Sequence, residues 1–339
     1  MVQRAANSRV WARTNVEMIS GGGIVTNVHT YTELATGMHY TNSLGQWLES
    51  KEQIDILPQG GAAATQGQHK VYFPSDIYDG VLEVVTPDGK HLQSRPIGVS
   101  YDDGSNCVWI GTLKHSSGLL LSSNQVIYPD AFTGLNADIL CRYRRGGFEC
   151  DVVFRKRPAS PATYGLAPET SRLQLFTEFF NTQDPQQIPS VQDEWFGLQD
   201  HNLKFGRLTM AHGKAFAIDS SGRSAKTRAP VFKTWAHLDN RTFLIEELPL
   251  DYIAPDLETL PAATNSLSLT TAVGPKFASA KRVFPAERTP AFATNQIQVA
   301  SVDFEKQAGF VLDYVEVSGS LGDYTFAADT TYRFRPGAV

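Results

Sequence analysis

The chain has 339 residues, of which 42% are apolar, 11% aromatic and 19% charged, with a formal net charge of −5. That much apolar and aromatic material offsets the entropy of ordering, which excludes a disordered chain and leaves room for two or three domains. No apolar run approaches the ~18 residues a membrane-spanning helix needs, and a mildly acidic chain is not held to nucleic acid by charge.

Residues 1–23 are polar and end in Gly21-Gly22-Gly23, the composition of a flexible leader. The opening Met1–Ser8 lacks the apolar stretch of a signal peptide. A cytoplasmic chain and an exported chain whose leader has been removed both fit that opening. From Ile24 the texture changes to short strand-like runs separated by turns at spacings of about 8–12 residues. They are Ile24–Thr32, Ile54–Leu57, Lys70–Phe73, Val81–Val85, Cys107–Ile110, Gln125–Tyr128, Ala137–Tyr143 and Phe148–Phe154. These runs are rich in β-branched and aromatic residues and alternate in part with period two. Pro87-Asp88-Gly89 and Asp102-Asp103-Gly104 supply turn chemistry between them.

Arg155–Pro161, with three charges and two prolines, is the expected boundary of a first domain spanning 24–158. Beyond it, Ser171–Phe179 alternates with Leu173, Leu175, Thr177 and Phe179 on one face. Residues 181–202 are polar, carry Pro185 and Pro189, and are expected to form a long excursion. Strand texture resumes at Leu203–Phe205, Ala215–Ile218, Val231–Trp235 and Thr242–Leu248, and Pro255-Asp256 opens the one short helix expected. A second domain over 159–262, an Ala/Ser/Thr/Pro-rich linker over 263–294 and a last β-rich block over 295–339 complete the division. The expected fold class is all-β: two β-sandwich-like domains followed by the start of a further β-rich segment. The apolar strand-like end of the chain is expected of a piece of a longer polypeptide.

Cys141 and Cys150 flank the hairpin Leu140–Cys150. With Arg144–Gly147 as its loop, Tyr143 faces Phe148 and Cys141 faces Cys150. Opposed residues of that kind have Cβ atoms about 4.5–5.5 Å apart, close to what a disulfide needs. Two small apolar residues on a buried strand face are the alternative. Cys107 is expected as a buried thiol. The basic run Arg142, Arg144, Arg145, Arg155, Lys156 and Arg157 is either a solvated edge that discourages sheet association or a surface for an anionic glycan or acidic partner. Trp47, Trp109 and Trp235 lie in strand texture and are expected in the core. Trp195, in a polar stretch, either anchors its loop or offers a ligand platform.

The strong catalytic, phosphate-binding and metal motifs are absent from the sequence, and no cofactor is implied. His29 and His39 lack a third ligand in sequence, and His212 is expected as a turn residue. A calcium loop at Asp76–Gly80 or Asp102–Gly104 lacks EF-hand spacing. The pairs Asp102-Asp103, Asp193-Glu194 and Glu246-Glu247 are adjacent residues, which do not place two carboxyls across a cleft.

Tyr128–Phe132 followed by Ala137–Phe154 resembles a strand–hairpin unit in the amino-terminal regions of large secreted bacterial proteins with RHS/YD repeats. Residues 30–158, through Tyr31–Tyr40, Trp47–Ser50 and Gln66–Lys70, are similar to the leading region of giant multidomain proteins of Verrucomicrobia-type bacteria. Arg172–Phe179 and the stretch from Gly213–Phe216 to Phe243–Leu248 look similar too, and Asp329–Val339 resembles the opening coil of a right-handed parallel β-helix. The resemblance implies an extracellular or cell-surface setting and a non-catalytic structural or interaction module. Its partners would be the downstream domains of the same polypeptide, a glycan or another surface protein. The family pattern carries no catalytic residues across and lacks the two hairpin cysteines, which favours a local disulfide. A carbohydrate-binding module is the second expectation, and a polysaccharide-active hydrolase or lyase the third.

Overall fold

The computed structural model describes residues 1–194, 197–219, 229–262, 284, 296–301, 307, 309–315, 318–321, 324–327 and 332–334. Strands β1 (Gln3–Ala5), β2 (Ser8–Met18) and β3 (Ile24–Leu34) open the chain, followed by the short pair β4 (His39–Thr41) and β5 (Trp47–Glu49). The strands β6 (Asp55–Ile56), β7 (Ala62–Ala64), β8 (Lys70–Phe73) and β9 (Leu82–Val85) form a meander into β10 (His91–Asp102). Next come β11 (Cys107–Leu113), β12 (Leu119–Ser122), β13 (Gln125–Tyr128), β14 (Phe132–Thr133), β15 (Ala137–Arg144) and β16 (Gly147–Phe154). The following group is β17 (Arg172–Phe180), β18 (Gln186–Asp193), β19 (Leu198–Phe205), β20 (Leu208–Met210), β21 (Gly213–Ile218), β22 (Ala229–Leu238) and β23 (Arg241–Pro249). The helix α1 (Ala254–Glu258) stands where Pro255-Asp256 predicts it. After it lie β24 (Gln298–Val299), β25 (Gly309–Val315), β26 (Ser318–Leu321), β27 (Tyr324–Ala327) and β28 (Tyr332–Phe334). The all-β expectation holds, and among the described residues no helix is long and apolar enough to cross a membrane.

The hub is β10. One edge pairs with β9 and then β11, while β17 runs along the other from Gln93↔Phe180 to Asp102↔Arg172. This layer continues through β23 to β22. The start of β22 then pairs with β21, which leads to a second layer in the order β21, β25, β16, β15, β13, β12. The two layers make one barrel-like system. Leu173, Leu175 and Phe179 of β17 face the main core, as their alternation predicts. Phe176 points the other way, into a second cluster with Ile97, Phe243 and Ile245, and Phe284 stacks on Phe243 there. Strands buried on both faces explain why the alternation of such runs is only partial.

Four expectations are corrected. Residues 1–23 are not a featureless leader, because they supply β1, β2 and the turn into β3; a ribbon satisfies its backbone by pairing, so it needs no apolar run. Residues 181–202 are largely a hairpin of β18 and β19, in which β18 is exposed almost throughout while Leu198, Asp200 and Leu203 of β19 are buried. Strands on both sides of Arg155–Pro161 pair with one another, β10 with β17 along its length and the end of β16 with β25 over Val152–Phe154, so that segment does not divide the sheet system. Trp47 lies on a short outer pair and is exposed, and Trp109 is half-buried against Phe176; Trp235 is buried as expected. In the last block, β25 pairs antiparallel with β16 and β21. The 263–294 linker, apart from Phe284, lies outside the described residues.

Candidate functional site

A cavity of about 560 Å³ opens where the tip of the β15–β16 hairpin, the loop before β8 and the β19–β20 turn converge. That volume falls in the range of small-ligand sites. Its wall includes His69, whose loop is pinned from behind by Tyr143, the Tyr143 hydroxyl donating to the His69 carbonyl at 3.2 Å. A Cβ on Gly67 would stand 2.0 Å from that hydroxyl oxygen, so only glycine permits the approach. Gln68 Nε2 donates to the carbonyls of Ala6 and His39 at 2.7 and 3.0 Å, tying the amino-terminal strands to the cavity loop.

His69 is buried. Burial pushes its pKa down to about 4, against the smaller opposing effect of a hydrogen bond to the Gly147 backbone. The ring is therefore neutral at pH 7. Its Nε2 has no hydrogen-bond partner. A ring whose Nδ1–H is given to a carbonyl presents Nε2 as a bare acceptor. Lys204 and Arg207 line the same cavity from β19 and the following turn; both are exposed, and among the described residues neither side-chain cation has an ion-pair partner within 4 Å, although the Arg207 backbone N–H donates to Asp88 Oδ1 at 3.2 Å. Phe148, Phe179, Glu149 and Glu246 also line the space.

Of the residues singled out from sequence, Arg145 reaches the cavity. Its backbone N–H donates to Glu52 Oε1 at 3.0 Å. Arg142 and Arg144 are instead committed to Glu149, the residue opposite Arg142 in the hairpin, at 2.9 and 3.7 Å. Arg155 holds Asp138 at 2.6 Å. Arg142, Arg144, Arg145 and Arg155 thus each have a carboxylate partner, while Arg157 donates to the Glu258 backbone carbonyl. Trp195 lies outside the described residues.

Cys141 and Cys150 are paired in register as predicted, Tyr143↔Phe148 included. Tyr143 N–H bonds to Asn124 on the other side, which makes Cys141–Cys150 a non-hydrogen-bonded pair, the closer of the two kinds. Their sulfurs are 3.8 Å apart and reduced, and Cys107 is half-buried. Because Cys150 lines the cavity, a mild oxidant reaches the pair. Oxidised glutathione is expected to close the bond and leave Cys107 as the one alkylatable thiol, read by mass spectrometry of the alkylated protein. Three thiols still reacting after oxidation would refute the pairing.

Two convergences are not assembled from the sequence, although the Asp76–Gly80 carboxylates are weighed there as a calcium loop. Asp76 and Asp79 meet His115 from a separate segment, with Nδ1 at 3.4 and 3.6 Å from their carboxylate oxygens. The three donors lie within 4.8 Å of one another, a spacing that suits a divalent ion with bonds of about 2.0–2.2 Å. Asp200 on β19 accepts from Lys233 Nζ and Lys233 N at 2.9 Å and from His212 Nδ1 at 2.8 Å. His212 is therefore more than a turn residue. The buried Asp200–Lys233 pair, with the exposed His212 as a third partner, fastens the β18–β19 hairpin onto β22.

The β2–β3 arm is the other exposed feature. Its register sets Val16, Met18, Ile24 and Val28 on one face with Thr14, Thr26 and Thr30. Those four apolar residues are 61–84% exposed. The opposite face carries Arg13, Asn15, Glu17, Asn27 and His29 with a single, less exposed aliphatic residue, Val25, and at its base Trp11 stacks on Tyr31. Apolar side chains so exposed on one face mark a contact surface. No protein-family model, curated protein or solved structure matches the chain.

Proposed function

We propose that the chain is a non-catalytic interaction module of a larger exported bacterial surface protein, and that the apolar face of the β2–β3 arm is covered by polypeptide of that same protein following Phe334. The observation that carries this is the one-sided apolar ribbon. The choice of occupant rests on continuity: β28, from the carboxyl end, already pairs antiparallel with the base of β3, Tyr332↔Leu34 to Phe334↔Thr32. Among the described residues, the β3 edge from Tyr31 to Ile24 is unpaired beyond it. A ladder continued in that direction adds a strand in the plane of the ribbon, and polypeptide leaving that strand is within reach of the apolar face to fold over it. The resemblance of Ala137–Phe154 to RHS/YD-repeat proteins supplies the exported setting.

The test is the double variant Val16→Lys/Val28→Lys, made in this chain and in the parent protein. In this chain the two positions are exposed, and urea unfolding is expected to shift by no more than about 0.5 kcal/mol. In the parent protein the same change removes two buried valines and is expected to lower stability by about 3 kcal/mol. Equal losses in both proteins, or none in the parent, would overturn the reading.

A further inference from the structure

The cavity has a floor and a rim of different chemistry, and neither belongs to the arm. In the floor, the neutral, buried His69 offers Nε2 as an acceptor with nothing donating to it, and the buried Glu246 carboxylate lines the same space. Acceptors of this kind match the hydroxyl groups of a ligand. At the rim, Lys204 and Arg207 are exposed to solvent, and among the described residues neither side-chain cation has an ion-pair partner within 4 Å; Asp88 is held by the Arg207 backbone N–H instead. They match an anionic group held towards the opening. Phe148 and Phe179 also line the cavity and add apolar surface of the kind the CH faces of a sugar ring pack on.

We infer that this cavity binds an acidic saccharide of the uronate type, with its hydroxyls against His69 and its carboxylate against Lys204 and Arg207. An inorganic anion fills the rim but brings no donor to His69. A neutral sugar satisfies His69 but leaves the cations unused. The volume of about 560 Å³ limits the enclosed part to one or two rings.

The experiment is calorimetric titration of the full chain with trigalacturonate, with galactotriose and inorganic sulfate as the other two probes. Trigalacturonate is expected to bind at least tenfold more tightly than either, and Arg207→Ala and Lys204→Ala each to weaken it about tenfold. Both side chains are exposed, so the variants should fold normally. A ¹⁵N spectrum of His69 reports the floor without a substitution: Nε2 is expected to shift on adding trigalacturonate and to stay in place with sulfate. The assignment is overturned if no trigalacturonate binds, if sulfate or galactotriose binds equally well, if neither variant weakens binding, or if Nε2 does not respond. The arm variants Val16→Lys/Val28→Lys leave the cavity untouched, so failure of either reading is separately visible.

Discussion

Asp200→Ala should cost about 3–5 kcal/mol of folding stability, the range for removing one partner of a buried ion pair. Lys233 is fully buried and Asp200 nearly so, with Nζ and carboxylate 2.9 Å apart. Deleting the carboxylate strands the ammonium in the interior and releases His212 and the Lys233 backbone N–H from their acceptor. Asp200→Asn keeps an oxygen for Lys233 but removes the charge, and should fall about midway. The hairpin of β18 and β19 should loosen first, since Asp200 is its anchor on β22. Urea unfolding of the three proteins, with hydrogen exchange across 186–205, checks both claims. A loss below about 1 kcal/mol for Asp200→Ala would show that the trio is not a fastening.

The second large effect is on pH. The folded pKa of His69 is about 4 and its ordinary value is 6.5. The unfolded chain therefore takes up a proton that the folded chain refuses. Stability is constant above the unfolded value, falls as pH drops from about 6.5 to about 4, and is level again below that as far as this group is concerned. Each pKa unit is worth ~1.4 kcal/mol, so the window represents a loss of about 3 kcal/mol. Desolvation is the main cause, and the interaction with Gly147 offsets part of it. Asp88, held low mainly by the Thr86 hydroxyl, and Asp184, held low mainly by Trp235 N–H, lose their contribution only below the ordinary carboxylate range. Asp256, raised by burial, acts with the opposite sign just above that range. Urea unfolding at pH 7 and pH 4 should show the drop, and His69→Gln should flatten it. An unchanged slope in that variant would assign the acid sensitivity elsewhere.

The hairpin of β15 and β16 shows how far local pattern reaches. Its glycines and its alternation set Tyr143 against Phe148 and Cys141 against Cys150, and the structure has that register. Gly89 and Gly104 adopt positive φ where the turns need it, and α1 begins at its predicted proline. Charge was less legible. Arg142, Arg144 and Arg145 read alike in sequence, yet the two on one face of β15 turn to Glu149 while Arg145, in the turn that follows, lines the cavity beside Glu52, because the strand and its turn meet different neighbours. Residues 1–23 read as a flexible leader and 181–202 as a polar excursion because a ribbon with a wet face carries no apolar run, although strand pairing still satisfies its backbone.

The amino-acid order alone therefore determined that this is a β protein, where most of its strands turn, and how its tightest hairpin is aligned. Strand periodicity and turn backbone are decided within a few residues. The tertiary structure decided which strands became neighbours: β10 beside β17, the His69 loop beside the hairpin tip, Asp200 beneath Lys233, His115 beside Asp76. Those partners come from distant parts of the chain, and their choice follows from burial and charge pairing summed over the whole molecule.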